Sequence, residues 1–170
     1  RTAMEAAHAL GFVLGMGGAT TVLFLFIRFL RDHDIDEKEL QTLKGISELM
    51  WLGLVFVLVG QFSFFVASAP DLAQFGPFLV QTIALFVTAL SGAVLMIIFT
   101  PFLSMIPFDE TEKGHHRSPL EALRKPLLIT GSITLSSWYF AFFMSYVPAY
   151  ELTALFSAYI AVLVGAVAAA

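Results

Sequence analysis

Cysteine is absent from the 170 residues, which removes disulfides, thiolate metal centres, iron–sulfur clusters and cysteine nucleophiles at once. Charge is nearly as scarce. Only 13% of residues are Asp, Glu, Lys or Arg, where a soluble domain carries roughly 25%. Most of those charges fall in two short segments, and no basic stripe is left to follow a nucleic-acid backbone. No serine–histidine–acid set, phosphate-cradling glycine loop or metalloprotease motif can be assembled, so the chain reads as a non-enzyme. The methionines beyond Met4 (Met16, Met50, Met96, Met105, Met144) are scattered, without the Met-x-x-Met ladder that copper conduction calls for.

What fills the sequence instead is apolar: 58% hydrophobic residues, eighteen of them phenylalanine. A helix crossing a bilayer needs about 20 largely apolar residues at 1.5 Å each. Five stretches qualify, at about 6–29, 46–67, 77–99, 126–147 and 152–170. The reading is one all-α membrane domain over 1–170, a five-transmembrane-helix bundle. Asp36 and Glu39 have the N-cap to N3 spacing of a capping box, so the second helix starts in water near Glu37. Ser118 to Glu121 repeats the signature with Pro119 at the first helical position, and Pro126 restarts the chain as the fourth span. Pro101 and Pro107 break or kink the chain after the third span.

The first stretch lacks a basic leading region and ends in arginine without a small-residue cleavage site, so it reads as a retained helix. The sequence opens at Arg1 rather than a methionine, which leaves room for residues upstream. Orientation follows from the cations. Arg28, Arg31, Lys38 and Lys44 flank the first connection, Lys113, Arg117, Arg124 and Lys125 flank the third, and the second and fourth have none. The positive-inside rule then puts the N-terminus outside and the C-terminus in the cytoplasm of a multi-pass cytoplasmic (inner) membrane protein.

The candidate site is on the first helix. At 100° per residue, His8, Gly11, Gly15 and Gly18 share one narrow face, a nitrogen ligand above a groove without side chains. Two occupants suit that groove. Ala7, Gly11, Gly15 and Ala19 form a small-xxx-small row that lets a second helix approach closely. Alternatively a porphyrin (haem b or a pigment) lies on the glycines with His8 as axial ligand. Glu5 and His8 can also simply pair at the water interface at i,i+3 spacing. Gln61, Gln81, Trp138, Tyr139 and Tyr146 fall at similar outer depth and could complete a polar and aromatic cluster. Arg28 and Glu48, read at similar inner depth, could form an ion pair that pins the first hairpin. Asp32, His33, Asp34 and Asp36 read as a solvated turn, lacking the glycine and closing glutamate of a calcium loop. His115 and His116 beside Asp109, Glu110 and Glu112 read the same way.

Three motifs carry a resemblance: His8 followed by Leu10-Gly11, Leu14-Gly15 and Gly17-Gly18-Ala19-Thr20; Ser47-Glu48-Leu49-Met50-Trp51-Leu52-Gly53-Leu54; and Gly131-Ser132-Ile133 with Ser137-Trp138-Tyr139. Together they resemble a group of small bacterial membrane proteins that is distantly similar to the membrane domain of the copper-resistance protein D family. The resemblance implies a metal- or haem-binding histidine in the first helix. With no further intramembrane histidine and no methionine cluster here, His8 alone carries it over.

The leading expectation is a non-enzymatic subunit contacting the lipid bilayer and other membrane subunits or copies of itself, in an electron-transfer or pigment complex. The rival is a small ion or metal transporter or channel, for which the polar residues at mid-depth (Ser91, Thr134, Ser136, Ser137) are few. A pure scaffold or lipid-binding element is the third class.

Overall fold

A computed structural model describes residues 2–32, 37–67, 72–99, 119–148 and 151–170. Five long helices make up these residues: α1 (Thr2–Asp32), α2 (Glu37–Ala67), α3 (Leu72–Val94), α4 (Pro119–Met144) and α5 (Leu152–Ala169). All five are long and apolar enough to cross a membrane.

The helices begin and end where the chemistry allows, with three differences from expectation. Helix α1 overruns its apolar stretch at both ends, because nothing between Thr2 and Asp32 breaks it. Pro77 and Pro126 sit inside α3 and α4 rather than opening them. Pro77 is the sixth residue of α3 and Pro126 the eighth of α4, so each removes one i→i−4 bond of its helix. After Val94, α3 loosens into a wider π-type turn over Leu95–Phe99. Helix α2 begins at Glu37, as expected. The caps at Asp36 and Ser118, the breaks at Pro101 and Pro107, and His33, Asp34, His115 and His116 lie outside the described residues.

The most extensive contact is between α1 and α2, followed by α3 with α4. Helix α1 also meets α4, α5 rests on α3 and α4, and α2 touches α3 more sparingly. The main core joins Phe12, Leu54, Val57, Leu85, Trp138 and Tyr159. A smaller cluster of Phe26, Leu43 and Leu127 closes the end where α1 finishes and α2 starts. Outside, large apolar side chains such as Phe24, Phe62 and Ile97 are about two-thirds exposed or more. That outer surface suits hydrocarbon rather than water. Hydroxyls on this surface bond back to their own helix: Thr21 donates to the Gly17 carbonyl, Ser63 to Val59 and Ser157 to Thr153. Such bonds satisfy a polar group where no water is at hand.

Candidate functional site

The face carrying His8, Gly11, Gly15 and Gly18 is assembled as the spacing predicts, and it is full. A Cβ on Gly11 would lie 2.6 Å from the Val57 amide nitrogen and 2.7 Å from the Gly53 carbonyl oxygen. One on Gly15 would fall 2.2 Å from the end of the Trp138 indole. At Gly18 the nearest atom is the Met50 Cβ, at 3.3 Å. Helix α2 answers with glycines of its own. A Cβ on Gly53 would meet the Gly15 nitrogen at 2.4 Å, and one on Gly60 would meet the His8 Cβ at 2.7 Å. The groove therefore seats α2 and the Trp138 ring, the helix-packing alternative. A porphyrin lying on Gly11, Gly15 and Gly18 would have to displace both. Gly53 and Gly60 are the half of the seam that reading α1 alone overlooks. Their seven-residue spacing, two turns of one face, is the signal that could have revealed them.

His8 is half-buried. Its ring stacks on Phe12 at 5.0 Å between centroids, and Phe12 meets Trp138 and Phe142 edge-on. Its Nε2 is buried with no hydrogen-bond partner, so a Glu5–His8 pair through that nitrogen is not made. An imidazole in this setting offers one donor or acceptor, or one ligand bond. Among the described residues no group of three or more His, Asp or Glu side chains gathers to hold a metal.

The expected outer cluster divides. Gln61 turns to α3, its Nε2 donating to the Phe78 carbonyl at 3.4 Å and to the Thr82 hydroxyl at 3.2 Å. Gln81 turns to α4, donating to the Ala141 carbonyl at 2.9 Å and to the Ser145 hydroxyl at 2.8 Å. Both are buried and both tie helices together. Trp138 is fully buried, with its Nε1 unpartnered. Tyr139 lies at the surface, its hydroxyl 3.2 Å from that of Thr20. Tyr146 is exposed and reaches the histidine only through the ring chain of Phe142 and Phe12.

The mid-depth hydroxyls are similarly engaged. Thr134 donates to Ser91 across α3 and α4 at 2.7 Å, and Ser137 shares a 2.8 Å bond with the Tyr159 hydroxyl of α5. Ser136 bonds back to the Ser132 carbonyl.

Arg28 and Glu48 are not at similar depth. The contacts of Gly11 with Val57, Gly15 with Gly53 and Gly18 with Met50 set the register of α1 against α2. That register puts Glu48 level with Gly18 to Thr20. Both charged side chains are exposed, and they are not paired with each other. Counting residues along α2 alone hides this offset, because depth depends on how the two helices slide past one another.

Comparison with protein-family models, with curated proteins and with solved structures gives no match. The resemblance to the copper-resistance protein D membrane domain therefore stands on its three sequence motifs.

Proposed function

We propose that this chain is a non-enzymatic integral membrane subunit that packs within a larger complex of the bacterial cytoplasmic membrane. One observation carries the reading: where the small and polar side chains go. Gly11, Gly15, Gly53 and Gly60, with Gln61, Gln81, Ser91 and Ser137, hold the protein's own helices to one another. Helix α5, in contrast, fully buries only Leu155 and Tyr159, packs Leu163 partly against the core and turns most of its other side chains outward. Transport has less in its favour, since the hydroxyls that could line a path bond to neighbouring helices or to their own.

Photo-cross-linking tests the proposal. With a benzophenone side chain at Ile160 or Val164, both exposed on α5, irradiation of native membranes should yield adducts with one or two defined polypeptides. Adducts with lipid alone from both positions would overturn it. The same preparation tests a second reading, favoured by the unpartnered Nε2 of His8. Here the subunit belongs to an electron-transfer or pigment complex and His8 is a haem or pigment ligand at the rim of the glycine seam. That reading requires a visible absorption band in the purified native particle that is lost in His8→Ala. A colourless particle removes it.

The orientation, N-terminus outside, rests on the cations flanking connections one and three. The absence of native cysteine allows a direct check. Single cysteines at Lys38 and Asp71 should react with an impermeant maleimide from opposite sides of the membrane, and labelling from one side would refute the map.

A further inference from the structure

Three side-chain polar atoms are buried without a hydrogen-bond partner among the described residues: Nε2 of His8 and Nε1 of Trp51 and Trp138. All three side chains stand on one plane of the bundle, between the α1–α2 pair and the α3–α4–α5 trio. Trp138 of α4 ends against Gly15 of α1, and Trp51 of α2 lies beside Gly92 of α3. His8 joins them through Phe12, which meets Trp138 and Phe142 of α4.

The packing on either side of that plane is of another kind. Within the pair, α1 and α2 touch backbone to backbone along the glycine seam. Within the trio, the Gln81, Thr134 and Ser137 bonds between helices are all 2.7–2.9 Å long. Across the plane, Gln61 reaches Phe78 and Thr82 at 3.4 and 3.2 Å, and the Thr20 and Tyr139 hydroxyls stand 3.2 Å apart. Helix α2 touches α3 only sparingly. The chain passes from pair to trio once, between α2 and α3, which holds those two helices together. Helices α1 and α4 have no such link. At the far end of α1, Phe26, Leu43 and Leu127 fasten α1, α2 and α4 in one cluster.

We propose that α1, carrying α2 with it, tilts away from α4 at the end where α1 starts, and that water enters the gap and bonds to His8 Nε2 and Trp138 Nε1. In the closed bundle both nitrogens lack the partner that a buried polar group needs. Opening supplies it, so the two arrangements are brought close in free energy. Packed units joined by side-chain contacts move as rigid bodies more readily than units whose backbones interlock. The cluster of Phe26, Leu43 and Leu127 is the pivot and stays shut, which makes the gap a vestibule rather than a path across the membrane. The motion belongs to the chain itself and does not depend on the subunit reading above.

The test uses the full chain in lipid nanodiscs. With two tryptophans in the chain, Trp51→Phe assigns the Trp138 indole signal in a nitrogen-15 NMR spectrum. In D2O the Trp138 indole proton should exchange well before the Val57 amide of the glycine seam. The absence of native cysteine allows spin labels at Val13→Cys and Phe143→Cys, both exposed. At 100° per residue these lie within about 20° of Thr20 on α1 and about 40° of Tyr139 on α4, so they flank the gap. Double electron–electron resonance should show a second, longer distance for this pair and one narrow distance for Val13→Cys with Val55→Cys. Joining Val13→Cys to Phe143→Cys with a short bifunctional maleimide should slow the indole exchange by about tenfold, because exchange follows the population of the open form. A Trp138 indole as protected as the Val57 amide would overturn the proposal. So would a single distance across the gap, or an exchange rate indifferent to the cross-link.

Discussion

Gly53→Ala is expected to destabilise the bundle by about 3 kcal/mol, the upper end of what one extra methyl does in a close-packed interior. The added Cβ would sit 2.4 Å from the Gly15 amide nitrogen and 2.8 Å from both the Gly11 carbonyl oxygen and the Gly15 Cα. All three are backbone atoms of α1, so no rotamer change relieves the clash. The helices must separate along their whole contact, the largest in the molecule. An opposing term makes the prediction sharp. Alanine in place of glycine favours an isolated helix by about 1 kcal/mol. Gly17→Ala, Gly45→Ala and Gly165→Ala, where a Cβ meets nothing within 4 Å, should show that gain undisturbed. Unfolding in mixed micelles of increasing sodium dodecyl sulfate, followed by circular dichroism, measures all four. If Gly53→Ala unfolds with Gly45→Ala rather than well before it, the seam is not close-packed.

Trp138→Ala should cost about 3 kcal/mol, the lower end for removing a buried tryptophan. The low end applies because a tryptophan leaving this core in a membrane enters lipid rather than water, so much of the transfer contribution is missing. What remains is packing, and here it is concentrated. The indole is fully buried, it ends against Gly15, and Phe12 meets it edge-on at 6.1 Å. The sharper form of the prediction is the coupling. Gly15→Ala alone should be strongly destabilising, since its Cβ would fall 2.2 Å from the indole. In the Trp138→Ala background the same change should be neutral or mildly stabilising, through helix propensity and partial filling of the cavity. A double-mutant cycle in the micelle assay should therefore give an interaction energy above about 1 kcal/mol. Additive effects would mean that α4 is not held against α1 at this point.

The number of long helices among the described residues, and where α2 and α5 start, could be read from local chemistry. Runs free of charge have to cross a bilayer or be buried, and Asp36 with Glu39 marks where α2 starts. The lone histidine above a glycine row was equally visible on α1. Its occupant was not. Gly11, Gly15 and Gly18 suit a flat cofactor and a second helix equally well, because an absence of side chains says only that something comes close. In the folded bundle, Gly53 on α2 and Trp138 on α4 lie against Gly11 and Gly15, and Gly60 lies against His8.

Burial was hidden for a related reason. In water, polarity marks the outside of a helix, so one face of the pattern reveals the core. In a bilayer the inside and the outside are both apolar. Val57, fully buried, and Val55, half exposed, are the same residue type two positions apart on α2. Spans, their charged ends and the His8 face followed from the order of residues alone, since length, charge and helical periodicity are local properties. Which surfaces meet, how far α1 is offset against α2, and hence that Glu48 lies about two turns from the depth of Arg28, needed the folded bundle. Those are relations between residues far apart in the chain, set by which small side chains let two backbones touch.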